Sequence, residues 1–375
     1  MTYNRRQFLL GSLSTFISSP FLFNSGSAKA SYGDIVVGGG MYKDLSTNKI
    51  NYLLGYVDLG KYTTKQISLN FLPHGIALDP NNSNRLFAFE KIGPGACVVN
   101  LENFSLEQYI NPIDGCYFYG HGMPSKDGLV TYQTETDILT KKGFIPIRDT
   151  NTLQVLDYFP TYGEKPHDCH LIEDGKVMAI TNGGSAIGRV EEKPSVTFVE
   201  IASRKLLEKI ELDNHAFNTG HLAYQDGDLV VVSAPREGLS KMNLGAVSIR
   251  KKNDSIETMI NPEPITSQIF GEALSVAIEP KQRIAAVTHP TGNLVTFWSI
   301  ENNSLLNALS LPHARGVVLN TDGKSFTITY GKEASLIKVD IKTLMPINDS
   351  VIKSTFISGS HLYNISRERI LLKLI

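Results

Sequence analysis

The chain of 375 residues has little ready-made chemistry: three cysteines (Cys97, Cys116 and Cys169), one tryptophan and no dominant charge. Three cysteines are too few for a disulfide framework in a protein of this size; they allow one bridge at most, with its connectivity open. No CxxC exists for thiol redox work or haem attachment, no HExxH for zinc hydrolysis, and no GxSxG for a nucleophilic serine. Gly38-Gly39-Gly40 lacks both the GxGxxG spacing and a following helix, so it reads as a turn. The 36 basic and 37 acidic side chains nearly cancel, which argues against nucleic acid or a strongly anionic surface as partner. No apolar run reaches the roughly 20 residues of a spanning helix.

The first thirty residues read as an address. Asn4-Arg5-Arg6-Gln7-Phe8-Leu9 resembles the twin-arginine export signal. A broken apolar stretch follows over residues 8–23, then Ala28-Lys29-Ala30 as a small-x-small cleavage site. Asn4 and Leu10 depart from the usual pattern, which keeps the general secretion route as the second choice. Residues 1–30 are therefore expected to be cleaved, leaving residues 31–375 as one domain in the bacterial periplasm. Arg5, Arg6 and Lys29 leave with the signal and no acid does, so the mature chain carries −4 against −1 for the whole.

The main positive feature is a motif that keeps returning. Leu72-Pro-His-Gly-Ile-Ala-Leu-Asp-Pro80 is followed by Tyr119-Gly-His-Gly-Met123, Lys165-Pro-His-Asp-Cys-His170 and Thr219-Gly-His-Leu-Ala223. Gly271-Glu-Ala-Leu-Ser-Val-Ala-Ile278 has the same shape without histidine; Leu311-Pro-His-Ala-Arg-Gly316 and Ser358-Gly-Ser-His-Leu-Tyr363 complete the series. Between His74, His121, His167, His221, Glu272, His313 and His361 the intervals are 47, 46, 54, 51, 41 and 48 residues. Each unit holds Val/Ile/Phe/Tyr-rich runs separated by Gly, Pro, Asn and Asp, and four short strands with turns need about 45–50 residues. The expectation is an all-β, seven-bladed propeller of four-stranded antiparallel blades. N-terminal runs near residues 34–39, 52–58 and 66–69 lack a leading strand, and residues 359–365 supply one. The two ends should therefore complete one blade and remove a free sheet edge. Trp298 is expected to pack between blades.

In a propeller the first strand of each blade lines the channel, so His74, His121, His167, His221, His313 and His361 should converge on one mouth. Ends of second strands would place Glu90, Glu135, Asn182, Arg236 and His289 around the same rim. In Pro166-His167-Asp168-Cys169-His170, strict alternation would put His167 with Cys169 and Asp168 with His170. His167 is taken as facing the channel, Asp168 as a partner that orients an imidazole, His170 as peripheral and Cys169 as a small buried hydrophobe. Neutral imidazoles suit copper, iron or zinc. Alternatively, each histidine could simply hydrogen-bond the neighbouring blade.

With these residues in view the chain resembles the DUF1513 family of exported bacterial propellers with YVTN-like or quinoprotein-dehydrogenase-like repeats. Ile147-Arg-Asp149, Gly163-Glu-Lys-Pro-His-Asp168, Glu173-Asp-Gly175, Thr181-Asn-Gly-Gly184, Gly220-His-Leu-Ala223 and Leu274-Ser-Val-Ala-Ile278 carry the likeness. Ser185-Ala-Ile-Gly188 stands where that family tends to have Thr-His-Pro. The resemblance implies a metal-linked envelope role, because members are often encoded beside imelysin-like iron-uptake proteins and di-haem oxidoreductases. Three functions follow in order: copper or iron handling, a cofactor-free interaction scaffold, and a channel-mouth hydrolase or dehydrogenase-like enzyme. Calcium-dependent hydrolysis is disfavoured because imidazole is wrong for a hard cation. The product is expected to be a monomer and not an enzyme.

Overall fold

The computed structural model describes residues 33–189 and 192–373; the expected signal segment lies outside them. Its strands form seven four-stranded sheets, six of them ordered from the inside out along the chain. The first blade shows the plan: Pro73–Leu78, Arg85–Glu90, Ala96–Asn100 and Ser105–Tyr109, paired antiparallel in that order. The inner strands of blades two to six are Cys116–Pro124, Pro166–Ile172, His221–Gln225, Val276–Glu279 and Val317–Leu319. The seven-bladed propeller read from the repeat is therefore the fold. Among the described residues the α-helices are a four-residue turn at Glu263–Thr266 and a C-terminal helix, Ile365–Lys373, which the repeat did not foretell.

The seventh blade joins the two ends of the chain. Tyr363–Asn364 is its inner strand and pairs with Ile35–Lys43 through Val37↔Tyr363 and Val36↔Asn364. Side chains reinforce this short ladder. The Ile35 N–H donates to Ser366 Oγ at 2.9 Å, the Ser366 hydroxyl donates to the Gly33 carbonyl at 2.6 Å, and Asn364 Nδ2 donates to Asp34 at 3.3 Å.

The core lies between blades rather than on the axis. Val295 and Phe297 of the fifth blade pack against Phe326 and Ile328 of the sixth. Trp298 lies on the other side of the fifth blade, fully buried with Val230, Val232 and Val247 of the fourth. Its indole N–H is satisfied by Thr296 Oγ1 at 2.8 Å. Side chains of this size contribute about 1.5–3 kcal/mol each on burial, so the ring is held by seven such interfaces in series. Closing the ring is what covers the last two faces.

Deleting residues 359–375 should uncover the Val36/Val37 edge and break the circle of interfaces. The expected result is loss of the cooperative thermal melt, or a midpoint lower by more than about 10 °C, read by circular dichroism. A truncated chain that melts like the full one would show that the ring does not depend on this blade.

A buried imidazole cluster on the propeller axis

Five of the six repeat histidines meet on the axis. His74 and His167 lie near the starts of their inner strands, His121 lies within Cys116–Pro124 at its register shift between Phe118 and Gly122, His221 opens its strand, and His361 stands two residues before Tyr363–Asn364. Their convergence needs very close approach between inner strands. A Cβ on Gly75 would stand 2.4 Å from the Gly120 carbonyl oxygen and 2.8 Å from the His121 Cα. Gly120, with φ +129°, lies so near the His167 ring that its Cβ would meet Nδ1 at 2.9 Å. Glycine at these places lets the blades bring their imidazoles into contact.

The Nε2 atoms of His74, His221 and His361 form a triangle with sides of 3.1, 3.3 and 2.9 Å. His167 Nε2 lies 3.1 Å from His74 Nε2. Donor nitrogens of His74, His121, His221 and His361 all fall within 4.8 Å of one another. Three neutral imidazoles in a triangle cannot satisfy each other. Each Nε2 carries either a proton or a lone pair, so at least two of the three are alike and one side of the triangle is not a hydrogen bond. His121 Nε2 is buried and has no partner at all.

The outer nitrogens show which way the protons lie. His167 Nδ1 donates to the Tyr119 carbonyl at 2.9 Å, which can only accept, so Nε2 presents a lone pair inward. His121 Nδ1 faces Asp168 Oδ1 at 3.4 Å, again leaving Nε2 as the lone-pair atom. His361 Nδ1 lies 3.3 Å from Ser275 Oγ, which can accept its proton. Ser275 belongs to the fifth blade, the one whose leading motif has no histidine. Its role could not be read from the repeat because a serine there carries no metal-ligand signature.

Asp168 is the hub of this outer layer. Its carboxylate accepts the Cys169 N–H at 2.9 Å and the Leu222 N–H at 3.1 Å, and approaches His170 Nε2 at 3.4 Å. Burial alone would raise its pKa, but His121 and His170 prevail and hold it well below the usual carboxylate range. Burial opposes charge on His170 too, yet the Asp168 carboxylate lifts that imidazole above its ordinary value. Cys169 is not part of the cluster: a register shift between Pro166 and Cys169 breaks strict alternation, and the thiol packs with Tyr132, Phe159 and Met178. Burial pushes its pKa well above the usual thiol value. All three cysteines are buried and unbridged.

His313 does not join the cluster. It lies exposed in a turn at φ 49°, four residues before Val317–Leu319, with its N–H donating to Asn293 Oδ1. Gly316 contacts the His361 backbone as Gly75 contacts His121, so Arg315 occupies the place of His74. Arg315 Nε donates to the Gly359 carbonyl at 3.0 Å. The second-strand ends do not make a polar rim either, because they stand one strand further from the axis and are covered by loops. Glu90 accepts the Gly95 N–H in its own loop. Glu135 is fully buried, paired with Arg148 at 2.5 Å and accepting the Ile113 N–H; burial raises its pKa against the pull of Arg148. Asn182 bonds Thr197, and Arg236 donates to the Ser185 carbonyl. His289 is sealed inside its blade with Nε2 at 2.8 Å from Thr296 Oγ1, and burial lowers its pKa to about 3.

Burial first, and neighbouring positive charge second, pushes His74, His167, His221 and His361 well below the ordinary value of 6.5; burial likewise lowers His121. The fold therefore holds these rings neutral, whereas the unfolded chain protonates them near 6.5. Stability from this source is complete above about pH 6.5 and is lost progressively as pH falls below it. Metal-free protein should melt at a clearly lower temperature at about pH 5 than at about pH 7.5. Equal midpoints would mean that the rings are solvated and free to charge.

The comparisons fit this architecture. Among solved structures, Kuenenia stuttgartiensis hydrazine synthase superposes with a TM-score of 0.60 at 14% identity, covering 78% of this chain and 92% of that one. A dihydro-heme d1 dehydrogenase, NirN, superposes with a TM-score of 0.56 at 12% identity, covering 89% and 69%. At such identities the likeness is one of fold. No curated protein matches the sequence. The family described as "Protein of unknown function (DUF1513)" matches residues 69–352, most of the described propeller. The chain belongs to the DUF1513 family.

Proposed function

We propose that the imidazole cluster is a transition-metal site and that the protein handles copper or iron in the bacterial periplasm. The observation that carries this reading is the Nε2 triangle. Two nitrogens bound to one metal at about 2.0–2.1 Å lie roughly 2.8–3.4 Å apart for angles between 90° and 109°, and the contacts here run from 2.9 to 3.3 Å. A cation among them accepts every lone pair at once, which no arrangement of protons achieves. His74, His221 and His361 would be the inner ligands, with His121 and His167 as further donors on either side. Asp168, the Tyr119 carbonyl and Ser275 hold the outer nitrogens, the support that ligating imidazoles generally have. An all-nitrogen, neutral donor set favours copper(II) over the earlier divalent metals, with iron and zinc as weaker competitors.

Export fits this role. The Arg5-Arg6 signal would deliver the protein already folded, and an imelysin-like iron-uptake protein or a haem protein would be its partner. The scaffold reading has one observation of its own: Met41, Tyr42, Leu45 and Ile50 are exposed together around the hairpin of the closing blade. That patch is compatible with docking whether or not metal is bound.

Replacing His167 and His221 together with alanine should abolish metal binding and leave the melt nearly unchanged. If the rings serve only the fold, the double variant instead loses buried hydrogen bonds at about 1–3 kcal/mol each and melts early. Asp168→Asn should keep the site but weaken it about 10–100-fold, through loss of the partner that orients His121. Equilibrium copper and iron titrations with a melt on the same natively exported preparation read both. Unchanged affinity in the double variant would defeat the proposal.

A further inference from the structure

Beneath the imidazole cluster the channel widens into a cavity of about 620 Å³. This is within the usual range for a small-molecule site. Its walls change character along the axis. His74, His121, His221 and His361 form one end; His167 is not among the lining residues. The shaft is apolar: Ile76, Met123, Leu171, Val276, Ile278 and Val318 line it and are only half-buried. From His74 to Leu78 the inner strand rises about 13 Å. At the far end the C-terminal helix contributes Arg367, Glu368 and Leu372. The cavity reaches solvent beside Lys126 and Asp174, whose side chains are 35% and 68% exposed.

We propose that this cavity is a chamber for a small organic ligand with one nitrogen or oxygen donor at its head and an apolar body, the head seated on the metal. The inference rests on the metal reading above and extends it to what the metal would meet. Orientation follows from the lining: four of the imidazoles border the cavity, so an exogenous donor reaches the metal from that side. The apolar shaft then gains by burying hydrocarbon. Beyond the metal, the shaft gives no welcome to a polyanion: Lys126 is ion-paired with Asp174, Arg367 stands beside Glu368, and Asp168 is held by His121 and His170, so phosphate groups along the body would meet no unpaired side-chain cation. A neutral or singly charged ligand fits.

The test uses copper(II)-loaded, natively exported protein and two probes, imidazole and 4-phenylimidazole, followed by the shift of the copper absorption bands. The phenyl ring should tighten binding at least about tenfold over imidazole. Val318→Trp fills the shaft and should erase that preference without changing copper affinity or imidazole binding; Ile278→Trp does the same from the neighbouring blade if the first variant folds poorly. Equal affinity for the two probes, or a preference that survives both substitutions, overturns the chamber and leaves the metal site standing. A protein that takes up no copper overturns the metal reading, and the chamber with it.

Discussion

The arrangement around which the rest of this protein makes sense is a set of neutral imidazoles packed nitrogen to nitrogen on the propeller axis. Their contacts near 3 Å are at hydrogen-bonding distance but too many for neutral rings to make all of them hydrogen bonds. Buried polar atoms normally have partners. His121 Nε2 has none, although its ring is held by a carboxylate on the other side. A fold that orients several lone pairs toward one point, and fixes the opposite nitrogens with acceptors, has the organisation of a ligand shell.

Rotational repetition makes such a cluster reachable. Each blade begins with the same short segment, so one residue type at its start is copied around the axis. The blades are anchored elsewhere, by interfaces such as Phe297–Phe326 and Trp298–Val230, so the axis itself bears little of the packing. The symmetry is also broken in a useful way. Blades five and six supply Ser275 and Arg315 in place of imidazoles, which leaves a ring of five histidines and one acceptor for the His361 proton.

Much of this was legible in the residues. The interval of the repeat and its strand-rich units carried the blade count, and the unmatched runs at the two ends carried the closure, because both depend on pattern alone. The convergence of five histidines followed from the same repetition. His313 misled because Pro-His was aligned by motif, whereas the strand behind it starts four residues later and gives its place to Arg315. Glu135 and His289 misled because strand ends were equated with a solvated rim; here Arg148 and Thr296 engage them inside the blades. The terminal helix and the cavity had no sequence signal, since a nine-residue helix with Arg367, Glu368 and Arg369 resembles an ordinary charged tail.

The account stands on metal bound by imidazole nitrogen on the propeller axis. X-ray absorption spectroscopy on metal-loaded, natively folded protein tests this most directly. The account predicts a first shell of three or more nitrogen scatterers at about 2.0–2.1 Å, with the outer-shell pattern of imidazole rings and no sulfur. A first shell made mainly of oxygen, or one containing thiolate sulfur, would place the metal elsewhere and contradict it.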